Sequence, residues 1–72
     1  NLSDYVADAL TELSKLVDYY AYEVKQTELD MKRSDDANEI AFDKGRVEAY
    51  ADHIVEVRYV IEMLRGRHDD NN

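Results

Sequence analysis

Met31-Lys32-Arg33-Ser34-Asp35-Asp36-Ala37-Asn38-Glu39-Ile40 decides the fold of this chain. N-terminal to it, apolar side chains recur at Val6, Leu10, Leu13, Val17, Tyr20, Val24 and Met31, with Thr27 as the one weak position. The spacings alternate four and three, which is the heptad stripe of an amphipathic helix; a half-buried strand would alternate in twos. Leu16, Ala9 and Ala21 widen that stripe. Carried through the quoted stretch, the stripe would place Ser34 and Asn38 in the core. It is instead replaced by a second one: Ile40, Val47, Tyr50, Ile54, Val57, Ile61 and Leu64, with Asp43 as its polar break.

The residues between the stripes are Ser, Asp, Asp, Ala and Asn, of which all but Ala favour caps and turns by bonding to the backbone. Asp36 followed by Glu39 resembles a capping box with Asp in the capping role. The expected architecture is therefore all-α, an antiparallel two-helix hairpin in a single domain spanning residues 1–72. The first helix is expected over about residues 4–33, capped by Ser3, and at ~1.5 Å per residue would be about 45 Å long. The turn falls at about 34–38 and the second helix at about 37–65. Gly66 reads as its stop, leaving a polar tail over 66–72. The competing reading is one continuous helix with a stutter at the phase break. Gly45, beside the polar break at Asp43, reads as a place where a neighbouring helix approaches closely.

Composition narrows the function classes. The 72 residues include no cysteine, no proline and two glycines. Disulfide scaffolds, Cys-ligated zinc and cysteine nucleophiles are thereby excluded. No apolar run is long enough to span a bilayer, and no signal segment opens the chain, so a cytoplasmic location is expected. The formal net charge of −8 opposes general attachment to nucleic acid or anionic lipid. No cofactor is expected.

Catalytic and metal chemistry find little to work with. His53 and Glu56 share a helix face, but the order is the reverse of the Glu-x-x-His pair of di-iron bundles, and the first helix has no histidine. His68 lies in the tail. Ser3 and Ser34 are accounted for as cap and turn, and no phosphate-binding loop is present. An enzyme is not expected.

Association is expected instead. A chain this short, without a disulfide or metal, rarely gains enough from one seam to be robust alone. A homodimer forming a four-helix bundle follows. Tyr19, Tyr22, Tyr59, Phe42, Val55 and Val60 fall outside the stripes and are candidates for an interface with a second copy or another protein, where tyrosine is favoured. Two acidic i,i+4 rows, Asp4, Asp8 and Glu12, and Glu48, Asp52 and Glu56, are candidates for docking on a basic protein surface. Lys32, Arg33, Lys44 and Arg46 flank the turn and give the alternative: a dimer that binds RNA through a basic tip, as in plasmid copy-number regulators of the Rop type, which it resembles in architecture only. A non-catalytic subunit of a larger complex is the third reading.

Lys44-Gly45-Arg46-Val47-Glu48-Ala49-Tyr50, within the second amphipathic helix, resembles segments of small acidic helical-hairpin proteins encoded by bacteriophages and prophages. The resemblance implies a protein-binding inhibitor of host machinery that acts by imitating nucleic acid.

Overall fold

The structure, a computed structural model, describes residues 1–70, with side chains described as far as Gly66. Two helices, α1 (Leu2–Arg33) and α2 (Ala37–Asp70), pack against each other as a hairpin. The continuous-helix alternative is set aside by the break after Arg33.

Local chemistry explains the break. Ser34 leaves helical geometry for an extended conformation (φ −89°, ψ 143°), and its N–H closes α1 on the carbonyls of Asp30 and Met31. Asp36 then caps α2: its Oδ1 accepts from the N–H groups of Asn38 (2.9 Å) and Glu39 (3.3 Å). The reciprocal arm of a capping box runs through Ser34. The Ser34 hydroxyl donates to Glu39 Oε2 at 3.2 Å and accepts the Asp36 N–H at 3.2 Å. Glu39 therefore ties the turn down by way of Ser34.

Both outer helix ends differ from expectation. Asn1, not Ser3, caps α1: its side chain accepts the Asp4 N–H at 3.1 Å, and Asp4 reaches back in a capping box. Ser3 lies three and seven residues before Val6 and Leu10, which puts it in seam phase, and it is half-buried there. Gly66 does not stop α2, which continues to Asp70. A terminating glycine works by adopting positive φ, and no glycine here does so. No proline follows to force an end. Of the expected polar tail, residues 67–70 belong to α2, and residues 71 and 72 lie outside the described residues.

The seam is the one the two stripes predict. Each of their residues is at least half-buried, while most neighbours are exposed. Tyr20 stacks against Tyr50 and His53, with ring centroids 5.7 and 5.4 Å away, and Glu23 meets Arg46 at 3.8 Å, so residues 20 and 50 lie level. The most secluded positions are Ile61, Thr27 and Asp43. Two of these three are the polar breaks of the stripes, and the register brings them close to one level. Among the described residues no buried side-chain polar atom lacks a hydrogen-bond partner.

Within the hairpin, Gly45 is not a close-packing position. A Cβ built on it meets nothing within 4 Å. It lies midway between seam residues Asp43 and Val47, on the back of α2. With space for a methyl group and a helical backbone, Gly45→Ala should stabilise the fold by about 0.5–1 kcal/mol through helix propensity alone. A rise in the urea midpoint with unchanged slope checks this. A loss of stability or of assembly would restore a packing role to Gly45.

Candidate functional site

A helix packed along one seam in a hairpin has two flanks and a back. The Glu23–Arg46 ion pair and the Tyr20–His53 contact fix which flank of α1 lies beside which flank of α2. On that side of the molecule α1 carries Leu2, Tyr5, Ala9, Glu12, Leu16, Tyr19 and Glu23, again spaced by threes and fours. Beside them α2 carries Phe42, Arg46, Ala49, His53, Glu56, Val60 and Met63. This is a second heptad stripe on each helix, turned about 90–100° from the seam, the geometry that a four-helix bundle uses for its second packing direction.

Its apolar members are exposed. Leu2, Tyr5, Leu16, Tyr19, Phe42, Val60 and Met63 are seven of the ten large hydrophobic residues left open among the described residues, with Tyr5 at 74% and Phe42 at 68%. Leu2, Tyr5, Val60 and Met63 lie toward the end away from the turn, Leu16 and Tyr19 near the middle, and Phe42 near the turn. The turn end of this face is polar, with Glu23, Asp30, Arg33, Glu39 and Arg46.

Arg46 organises that polar end. It donates to the Tyr50 hydroxyl at 3.4 Å, lies 5.8 Å from the Tyr50 ring centroid and pairs with Glu23. The bond to Tyr50 is the largest cause holding the Arg46 pKa above its ordinary value; the Tyr50 charge adds to it, as do Asp43 and Glu23, and desolvation works against them.

The opposite face is charged. Two open grooves along the seam are lined there by Glu28, Lys32, Lys44 and Glu48 over Met31, Ile40 and Val47, and by Asp18, Arg58, Glu62 and Arg65 over Val17 and Ile61. Cations and carboxylates alternate, so neither groove has a single sign.

The residues singled out by sequence are distributed over several surfaces. Tyr19, Phe42 and Val60 lie on the apolar face. Tyr22 and Tyr59 lie on the backs of α1 and α2, and Val55 lies toward the charged face. Asp8 sits midway between seam residues Val6 and Leu10, and Asp52 midway between Tyr50 and Ile54. Each acidic row therefore winds over the back of its own helix, and the two rows project from opposite edges. Asp4 is engaged in the α1 cap, Glu12 pairs with Lys15 at 3.1 Å, and Glu56 stands 3.9 Å from His53 Nδ1.

The four basic residues near the turn also separate. Lys32 and Lys44 share a groove on the charged face, Arg33 lines a depression with Asp30, Asp35 and Glu39, and Arg46 is paired on the apolar face. No continuous basic tip results. Among the described residues, no group of three or more His, Cys, Asp or Glu side chains is placed to hold a metal ion, and no helix is long and apolar enough to cross a membrane.

Leu2, Tyr5 and Met63 are not among the interface candidates that the two stripes define, and Leu16 there only widens the first stripe. The signal was in the sequence: positions 2, 5, 9, 16 and 19 keep heptad spacing among themselves. No protein-family model, curated protein or solved structure matches this chain.

Proposed function

We propose that this chain is a non-enzymatic protein-binding module: an acidic helical hairpin that associates with itself and docks on another protein. The observation that carries the reading is the imbalance of its apolar surface. Among the described residues Ile61 is the one buried hydrophobic residue, while ten large hydrophobics stay exposed. A chain built to act alone would bury more of them.

The partner surface is basic in this reading. With the apolar face taken by assembly, the backs of the helices remain, and they bear Asp8, Asp52, Tyr22 and Tyr59. Tyrosines flanked by carboxylates suit a docking site on a protein rich in Lys and Arg, where charge speeds encounter and aromatic area supplies contact. Inhibition of host machinery by imitation of nucleic acid is the most specific form of this proposal. It has to work through one acidic row at a time, because the rows face apart.

The test begins with capture of binding proteins from the source cells and continues with the purified partner. Glu48→Gln, Asp52→Asn and Glu56→Gln together remove one row without touching the α1 cap. Binding should weaken about tenfold at low salt, through slower association, and lose part of its salt dependence. Folding should hold or improve by a few tenths of a kcal/mol as like-charge repulsion is relieved. Unchanged binding by this variant and by its α1 counterpart would remove the electrostatic form of the proposal and turn attention to Tyr22 and Tyr59.

A further inference from the structure

We infer that the face bearing Leu2, Tyr5, Leu16, Tyr19, Val60 and Met63 is covered by a second copy of this chain, with the turns of both hairpins at the same end of a four-helix bundle. The inference rests on the self-association proposed above and adds to it the surface and the direction.

Two observations select a second copy, and a third sets the direction. The first is area. The chain exposes 5516 Å², whereas a compact protein of its mass exposes about 4,600 Å². The excess of about 900 Å² is close to the ~800 Å² that each partner buries in a standard interface. The second is periodicity. The exposed residues form a second heptad stripe on both helices of the same chain, so one face supplies both halves of a helix–helix packing. The other side of the hairpin has no stripe of large apolar residues: Asp4, Ala7, Thr11, Ser14, Asp18, Ala21, Lys25, Glu28 and Lys32 occupy the equivalent positions on α1.

The third observation sets the direction. The face is mainly apolar away from the turn, where Glu12 and Glu56 interrupt it, and mainly charged toward it, where Phe42 is the exposed apolar residue. Hairpins stacked with turns at opposite ends would press Leu2, Tyr5 and Met63 of one copy onto Asp30, Arg33 and Glu39 of the other. That would bury charge against hydrocarbon. Turns at the same end match apolar to apolar. A two-fold axis along the bundle then sets α1 of one copy against α2 of the other, since α1 and its symmetry mate are diagonal. Glu23 thus comes level with a second Arg46, and the existing Glu23–Arg46 pair extends into a ring of alternating charge. Such a ring suits partial burial better than either ion alone.

The absence of native cysteine makes the direction measurable. Asn38→Cys, at the exposed start of α2, takes one spin label per chain. Electron–electron distance measurement on the dimer should give a separation on the order of 20–35 Å, from a diagonal spacing of ~14 Å between the two α2 helices plus label arms that point outward. A dimer with separations near the 53 Å length of the hairpin overturns the direction and leaves self-association standing. A monomer at tens of micromolar overturns both, and so does binding of this face to a different protein in preference to its own kind.

The surface is tested separately. Tyr5→Glu with Leu16→Glu should raise the dimer dissociation constant on the order of 100-fold or more. Tyr22→Glu with Tyr59→Glu, on the helix backs, should change it less than about threefold. If the second pair dissociates the dimer and the first does not, the face assignment is wrong. Should the first pair fail to fold, Tyr19→Lys alone, at a half-open position, reads the same face, and the label distance decides the direction independently.

Discussion

Ile61→Ala is expected to destabilise the protein by about 2–4 kcal/mol, the usual range for emptying a well-packed aliphatic site. A chain of this length has on the order of 4–10 kcal/mol in total. One substitution therefore removes a large share. The cause is geometric: Ile61 is 6% exposed, and no other apolar residue among the described residues is so completely enclosed. It lies over the groove formed with Ser14, Val17 and Arg58. Val55→Ala is the matched control. Val55 is 67% exposed, and its truncation should cost less than about 0.5 kcal/mol. Urea unfolding followed by circular dichroism measures both. Equal midpoints for the two variants would mean that the seam is not what holds the helices together.

Asp43→Leu is expected to act in the other direction. Asp43 occupies a seam position on α2, is 8% exposed, and stands in the stripe where every other member is apolar or tyrosine. Seating a carboxylate there costs desolvation that a leucine would not, although the charge of Arg46, one turn on, works against that cost. Leucine in its place should raise stability by about 1–2 kcal/mol, seen as a higher urea midpoint. Thr27, near the same level on α1, is 4% exposed and joins Asp43 in a polar layer. Polar layers in helical seams fix register at a cost in stability. The stabilised variant should accordingly show broader amide resonances or mixed assembly sizes, which nuclear magnetic resonance and sedimentation velocity read. A loss of stability comparable to that of Ile61→Ala would mean that the carboxylate makes an interaction the hairpin needs.

The seam was legible residue by residue because heptad spacing is a direct consequence of helix geometry. The stripe residues from Val6 to Met31 and from Ile40 to Leu64 face inward, and the two polar breaks, Thr27 and Asp43, are with Ile61 the deepest among them. The turn was legible because Ser34 and Asp36 can satisfy backbone N–H groups only by interrupting the helix. The outer ends were not. Ser3 is as good a capping residue as Asn1, and propensity alone cannot choose between caps two residues apart. Gly66 ends a helix only if the following chain lets it adopt positive φ, which composition does not specify.

The candidate site was only half legible for a related reason. Single exposed residues such as Tyr22, Val55 and Tyr59 were grouped with Tyr19 by residue type, although they occupy different sides of their helices. Placing them required knowing which flank of α1 lies beside which flank of α2, and that handedness is set by contacts such as Glu23–Arg46. Once it is known, Leu2, Tyr5, Leu16 and Met63 join Tyr19 and Val60 on one surface. The acidic rows separate to opposite edges, and the basic residues near the turn divide between faces.

Sedimentation equilibrium of the intact chain at micromolar concentration tests the central claim most directly. An apolar second stripe on a hairpin with so small a core predicts a species of twice the 8.4 kDa chain mass, dissociating on dilution together with loss of helicity. A single species of 8.4 kDa that unfolds cooperatively and independently of concentration would contradict it.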